Sequence, residues 1–160
     1  EMCIRDSNNA VAICRNVVDT VEKIKQTSAS VLFQTSLENL EIYTDEARLQ
    51  QLLINLLINA TKFTTEGSIT LSLEKQSEEV ALFAVSDTGC GIAPEKQGAI
   101  FNRFEKLNEN AQGSGLGLSI CQLIVERFGG KIWIDPEYKN GSRFLFTHPI
   151  VSTSRKEVSE

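Results

Sequence analysis

The side chains best able to do chemistry stand in three stretches. In the run from 48 to 64, RLQQLLINLLINATKFT, Asn55, Asn59 and Lys62 recur at helical steps. At about 100° per residue they share roughly 60° of arc. Leu49, Leu52, Leu53, Leu56, Leu57 and Ala60 mark an apolar face of the same helix, and Ile54 and Ile58 fill a further flank. Burying an amide is unfavourable unless it is hydrogen-bonded. The two Asn side chains therefore either satisfy neighbouring backbone groups or face a polar ligand. The second stretch is Asp87-Thr88-Gly89-Cys90-Gly91, directly after the apolar run VALFAV. It offers a carboxylate acceptor beside glycines that let a ligand approach the backbone without a Cβ; a plain turn or cap is the alternative. The third, Gly113-Ser114-Gly115-Leu116-Gly117-Leu118, opens a helical run. N–H groups at a helix start, with the helix field behind them, suit an anion; a tight turn is the alternative.

None of the glycine stretches has a common nucleotide-loop spacing. Gly89-x-Gly91 lacks the third glycine of a dinucleotide-binding turn and is followed by Pro94. The glycines of 113–117 are spaced by two, and Gly129-Gly130-Lys131-Ile132 lacks both the Walker A spacing and its Ser or Thr.

The elements that must hold these residues follow from periodicity. Asn8 or Asn9 caps a helix that runs through Val11, Cys14, Val17, Val18, Val21 and Ile24 to about Gln26. Strands are predicted over 31–36 and 40–43, and Thr44 or Asp45 caps the helix bearing Asn55 and Asn59. After a turn at 65–67, Ile69, Leu71 and Leu73 alternate with polar residues, and 80–85 reads as a central strand. A short helix over 94–100, a polar loop over 105–112 and a helix over 116–128 follow. Gly129-Gly130 terminates that helix. Strands at 131–135 and 143–147 close the chain, with Asn140-Gly141 as a hairpin-type turn. Strands and helices come in blocks, which predicts an α/β sandwich: one mostly antiparallel mixed sheet covered on one face by helices.

At 160 residues the chain has the size of one domain. We expect a remnant or linker over 1–7, the domain over 8–150 and a flexible tail over 151–160. The formal net charge of −5 argues against nucleic-acid and anionic-membrane binding. Cys3, Cys14, Cys90 and Cys121 have no metal-ligand spacing, and the single His148 adds no cluster. They read as reduced, mostly buried thiols of a cytoplasmic protein. No apolar run reaches the length of a membrane span. The start in mid-register suggests a fragment, which leaves open the cytoplasmic portion of a membrane-bound sensor.

Together the stretches resemble the ATP-binding catalytic domain of sensor histidine kinases, in the superfamily shared with type II topoisomerases, the Hsp90 chaperones and MutL repair proteins. Asn55-Leu-Leu-Ile-Asn59-Ala-Thr-Lys62-Phe63-Thr64 resembles the N box, and Asp87-Thr-Gly89-Cys-Gly91-Ile92 the first glycine box. Phe101-Asn-Arg103-Phe104-Glu-Lys106 resembles the F box, and Gly113-Ser-Gly115-Leu-Gly117-Leu118-Ser119 the second glycine box. They occur in family order, and the resemblance covers about residues 8 to 150. It implies a Bergerat-type fold, with ATP and Mg²⁺ as ligands. The implied partners are a histidine phosphoacceptor/dimerisation domain of the same parent protein and, downstream, a response regulator receiver domain.

The resemblance gives each residue a role. Asp87 accepts from the adenine amino group, and Gly89 and Gly91 bring the backbone to the base. Ile92, Phe63 and Leu118 are candidate walls of the adenine slot. Asn59 supplies a neutral oxygen to Mg²⁺, which keeps several waters. Asn55 and Lys62 serve the phosphates, as do Gly113, Ser114, Gly115, Leu116 and Gly117 at the helix start. The 93–112 stretch reads as a lid from which Arg103 and Lys106 reach the γ-phosphate; surface decoration competes for both. Position 55 separates the branches: where the topoisomerase and chaperone branch carries a water-activating glutamate, Asn55 cannot take a proton. That fits transfer to a better nucleophile on another domain. No acceptor-histidine motif precedes the N box, and His148 lacks the acceptor context. Two other readings stand beside the kinase: a nucleotide-sensing or protein-binding module without catalysis, and an anti-sigma-type serine kinase.

Overall fold

A computed structural model describes residues 5–97 and 116–150. The chain runs through strand β1 (Asp6–Asn9), helix α1 (Ala10–Ile24), strands β2 (Ser30–Thr35) and β3 (Glu41–Thr44), and helix α2 (Glu46–Phe63). Strands β4 (Ser68–Ser77) and β5 (Val80–Asp87), helices α3 (Pro94–Gln97) and α4 (Leu116–Phe128), and strands β6 (Ile132–Ile134) and β7 (Ser142–Pro149) follow. The main sheet has the order β2-β4-β5-β7-β6. Its β4–β5, β5–β7 and β6–β7 pairs are antiparallel, and β2–β4 is parallel. The parallel pair follows from connectivity: β3 and α2 lie between β2 and β4, a crossover that returns the chain in the same direction. The expected sandwich of a mixed sheet with helices on one face is the architecture observed.

The alternation read in the sequence decides the covered face. Ile69, Leu71 and Leu73 of β4, Ala81, Phe83 and Val85 of β5, and Phe144 and Phe146 of β7 are buried. They pack with Val17 and Val21 of α1, the leucines of α2, and Cys121 and Val125 of α4 in one core. Phe83 and Phe146, cross-strand neighbours, stack with centroids 4.6 Å apart and planes 6° apart.

Both long N-terminal helices begin on the polar cap the sequence offers. Asn9 Oδ1 accepts from the Val11 N–H for α1, and Asp45 Oδ1 from the Arg48 N–H for α2. Glu46 in the first turn and Lys62 in the last suit the α2 dipole.

Strand β1 has no counterpart among the predicted elements. It pairs antiparallel with β3, Asp6 opposite Thr44, as a separate ribbon. A strand of four residues, its first two exposed and its last two half-buried, has no periodicity to read. The ribbon is tied to the main sheet by His148 Nε2, 2.9 Å from Thr44 Oγ1. His148 is only 1% exposed and lies against the Phe128 ring. Between β6 and β7 the chain takes a longer route than a two-residue hairpin, with an Asx turn in which Asp135 Oδ1 accepts from the Glu137 N–H.

Candidate functional site

The site is built where three chain segments meet at one end of the sheet: the end of β5, the last turn of α2 and the turn before β7. Asp87 closes β5 on the covered side and is 2% exposed. A buried carboxylate must be hydrogen-bonded, and this one is. Its Oδ1 accepts from the Gly89 N–H at 2.9 Å and the Ser142 N–H at 3.3 Å. Its Oδ2 accepts from the Ser142 hydroxyl at 2.7 Å. A carboxylate oxygen accepts about two hydrogen bonds. Oδ1 is therefore filled by backbone donors, while Oδ2 keeps about one lone-pair site for a further N–H.

The glycines around it are required by close approach. A Cβ on Gly89 would overlap the Phe63 carbonyl oxygen and lie 2.7 Å from Thr64 Oγ1. Gly91 has φ +76°, and its Cβ would meet the Gly141 carbonyl oxygen at 3.1 Å. Gly141 has φ +136°, and a Cβ there would overlap the Asp87 carbonyl oxygen and lie 2.9 Å from Oδ1. Only glycine tolerates these backbones against one another. The loop is also pinned to α2, because the Cys90 N–H donates to the Phe63 carbonyl at 3.2 Å. That carbonyl is an orphan of the helix C-terminus, so the loop after Asp87 supplies its partner. Thr88 fastens the other side, accepting from the Ser68 N–H at 3.1 Å.

Helix α2 brings the polar residues to this place. Asn55, Asn59 and Phe63 are half-buried and Lys62 is exposed at its C-terminal end. Asn55 faces α4, where its side chain hydrogen-bonds the Cys121 thiol. Burial pushes that thiol up to about 12, with the Asn55 bond pulling the other way, so Cys121 is an inert neutral thiol. Cys14 is likewise pushed up to about 12 by burial, and Cys90 is exposed in the glycine loop. Ile92 packs against the core from the loop, and Leu118 is buried on the first turns of α4. Leu116 and Gly117 open that helix. Arg103, Lys106, Gly113, Ser114 and Gly115 lie outside the described residues, as do Phe101 and Phe104.

Ser142 is the residue that the sequence reading missed. It fills β7 opposite Asp87 in the strand register and gives the carboxylate two of its hydrogen bonds. The available signal was its position just after Gly141, but only strand pairing puts it beside a residue 55 positions earlier.

Among the described residues, no three His, Cys, Asp or Glu side chains come together to hold an ion. Asn59 Oδ1 is a neutral oxygen that could take one place in a Mg²⁺ shell completed by phosphate and water.

A buried carboxylate acceptor thus lies on a floor without Cβ atoms, pinned to the end of the helix that carries Asn55, Asn59 and Lys62. The family model described as histidine kinase-, DNA gyrase B-, and HSP90-like ATPase matches residues 44–152. The chain belongs to this family, as an ATP-binding catalytic domain of the histidine kinase type. The adaptive-response sensory kinase SasA of Gloeothece citriformis is 41% identical over 112 residues, 68% of this chain and 28% of that protein. SasA of Rippkaea orientalis is 34% identical over 142 residues, 86% of this chain and 36% of that protein. The chain thus spans about a third or less of the length of these curated relatives. Among solved structures, the catalytic domain of histidine kinase ThkA is similar with a TM-score of 0.80 at 33% identity, over 92% of this chain and 98% of that one. Full-length ShkA in complex with AMPPNP is similar with a TM-score of 0.84 at 27% identity, over 95% of this chain and 32% of that one.

Proposed function

We propose that this chain binds Mg-ATP and donates the γ-phosphoryl group to a histidine on a separate dimerisation/phosphoacceptor domain of a two-component sensor kinase. The observation that carries this is Asp87, buried and filled at Oδ1 but with acceptor capacity left at Oδ2. Adenine presents an amino donor, and Oδ2 accepts it. Gly89 and Gly91 bring the backbone to the ring, while Phe63 and Ile92 supply apolar wall. Asn59 offers an oxygen to Mg²⁺ and Lys62 a charge to the phosphates. Mg²⁺, when bound, neutralises charge on the phosphates.

The proposed chemistry is positioning and charge stabilisation, with little covalent work for the protein. Asn55 carries no base, because an amide takes no proton near neutral pH. The chain therefore presents no carboxylate at that position to deprotonate water, and the nucleophile comes from elsewhere. An imidazole on the acceptor domain meets that need. His148 does not, because its ring is buried between Thr44 and Phe128. A receiver domain follows as recipient; histidine kinase ThkA has been solved in complex with response regulator protein TrrA.

Phosphotransfer tests this. The chain is incubated with γ-labelled ATP, with and without Mg²⁺, beside the phosphoacceptor domain of a SasA-type kinase. Mg²⁺-dependent label on the acceptor, stable in alkali and lost in acid, is expected. ATP binding without any transfer would make the chain a nucleotide-sensing module instead. Acid-stable label on serine would move it to the anti-sigma class.

A further inference from the structure

Thr64 ends α2 beneath the glycine loop, and its side chain is fully buried at 0% exposure. Its backbone carbonyl accepts from the Thr27 hydroxyl at 2.5 Å. Its own Oγ1 has no hydrogen-bond partner among the described residues. A hydroxyl kept in that condition is unfavourable, and valine has the same shape without the penalty. The base loop passes beside it: a Cβ added to Gly89 would sit 2.7 Å from Oγ1. Gly89 is also the residue whose N–H holds Asp87 Oδ1, and its neighbour Cys90 is bonded to the Phe63 carbonyl. One small movement of the 88–90 turn thus changes both the setting of the carboxylate and what Oγ1 can reach.

We propose that Thr64 is a positioning residue of the nucleotide site, whose hydroxyl donates to a carbonyl of the 88–90 turn in the nucleotide-bound arrangement and so holds Asp87 and the glycine backbone against the base. This rests on the nucleotide-binding reading above. The hydroxyl is unfavourable in the free form and is satisfied in the bound one, so it favours the bound loop by differential interaction. Because Oγ1 is buried, it acts through the loop and touches no ligand atom. Its effect belongs to the base end of the site, and adenosine, Mg-ADP and Mg-ATP feel it alike.

The test compares the 160-residue chain with Thr64→Val and Thr64→Ser, by calorimetric titration with the three ligands and by urea unfolding without ligand. Thr64→Val is expected to unfold at the same or a higher urea midpoint, since an unpaired hydroxyl is gone. It is expected to bind all three ligands about 3- to 10-fold more weakly, the factor of one neutral hydrogen bond. Thr64→Ser, which keeps the hydroxyl, is expected to return affinity to within about 2-fold of the parent. Unchanged affinity in Thr64→Val overturns the proposal. So does a lowered midpoint without ligand, which would show the hydroxyl already satisfied in the free protein. A loss that Thr64→Ser fails to restore overturns it as well. If the parent chain binds none of the three ligands, the nucleotide-site reading itself has failed, a result separate from any difference between variants.

Discussion

Asp87→Asn is the sharpest probe of the base site, because the surrounding donors dictate which way the new amide must face. The Gly89 and Ser142 N–H groups both point at Oδ1. An amide NH₂ there would oppose two backbone donors, so the Asn oxygen must take the Oδ1 position and the nitrogen the Oδ2 position. The Ser142 hydroxyl, which donates to Oδ2 at 2.7 Å, can rotate to accept instead. The loop therefore keeps its bonds, and the fold should survive with little change in unfolding midpoint. What changes is the ligand-facing atom, from anionic acceptor to donor. Against adenine's amino group this replaces a charge-assisted bond with two opposed donors, a loss of about 1–3 kcal/mol or roughly 5- to 150-fold in adenosine affinity. The same substitution suits a base with a carbonyl in place of the amino group. The ratio of adenosine to inosine affinity should therefore collapse toward one or invert. Calorimetric titration of both nucleosides against parent and variant measures it. Unchanged adenosine affinity in a folded Asp87→Asn protein would refute the assignment of Oδ2 to the base. An equal loss for adenosine and inosine would refute the donor–acceptor logic and point to general loop damage.

Three further outcomes are expected. Asn59→Ala should leave adenosine binding within about 2-fold while weakening Mg-ATP more strongly, since only the latter uses the proposed metal oxygen; equal losses for both ligands would indicate damage to the whole pocket. Gly141→Ala should destabilise the fold by at least about 1–3 kcal/mol in urea unfolding and weaken adenosine binding, because its Cβ would overlap the Asp87 carbonyl at φ +136°; a parent-like midpoint would contradict that close approach. Burial holds His148 at about 4, below the ordinary imidazole value of 6.5. Between those pH values the unfolded chain binds a proton that the folded chain refuses. This contribution to stability is therefore complete above about pH 6.5 and is lost as pH falls toward 4, by up to about 1.4 kcal/mol per unit. His148→Gln should flatten that part of the profile, and an unchanged slope would assign it to other groups.

What the sequence alone determined was local. Periodicity placed α1, α2, α4 and the strands of the main sheet, because helical and alternating patterns are written in adjacent residues. The capping residues Asn9 and Asp45 were legible for the same reason, as was the shared arc of Asn55, Asn59 and Lys62. The motif order carried the family. Pairings between distant residues could not be read this way. The β1–β3 ribbon has too few residues for a period, and His148 reaches Thr44 across 104 positions. Asp87 was legible as an acceptor, but not as one whose Oδ1 is consumed, since that depends on Ser142 arriving through the β5–β7 register. Gly141 read as a hairpin glycine, whereas its backbone is needed for close approach to Asp87. Thr64 read as the last letter of a motif. Only the packing of the glycine loop on the end of α2 shows its hydroxyl buried and without a partner among the described residues. Hydrogen-bond saturation and burial are properties of groups brought together from afar, so they come into being with the tertiary structure.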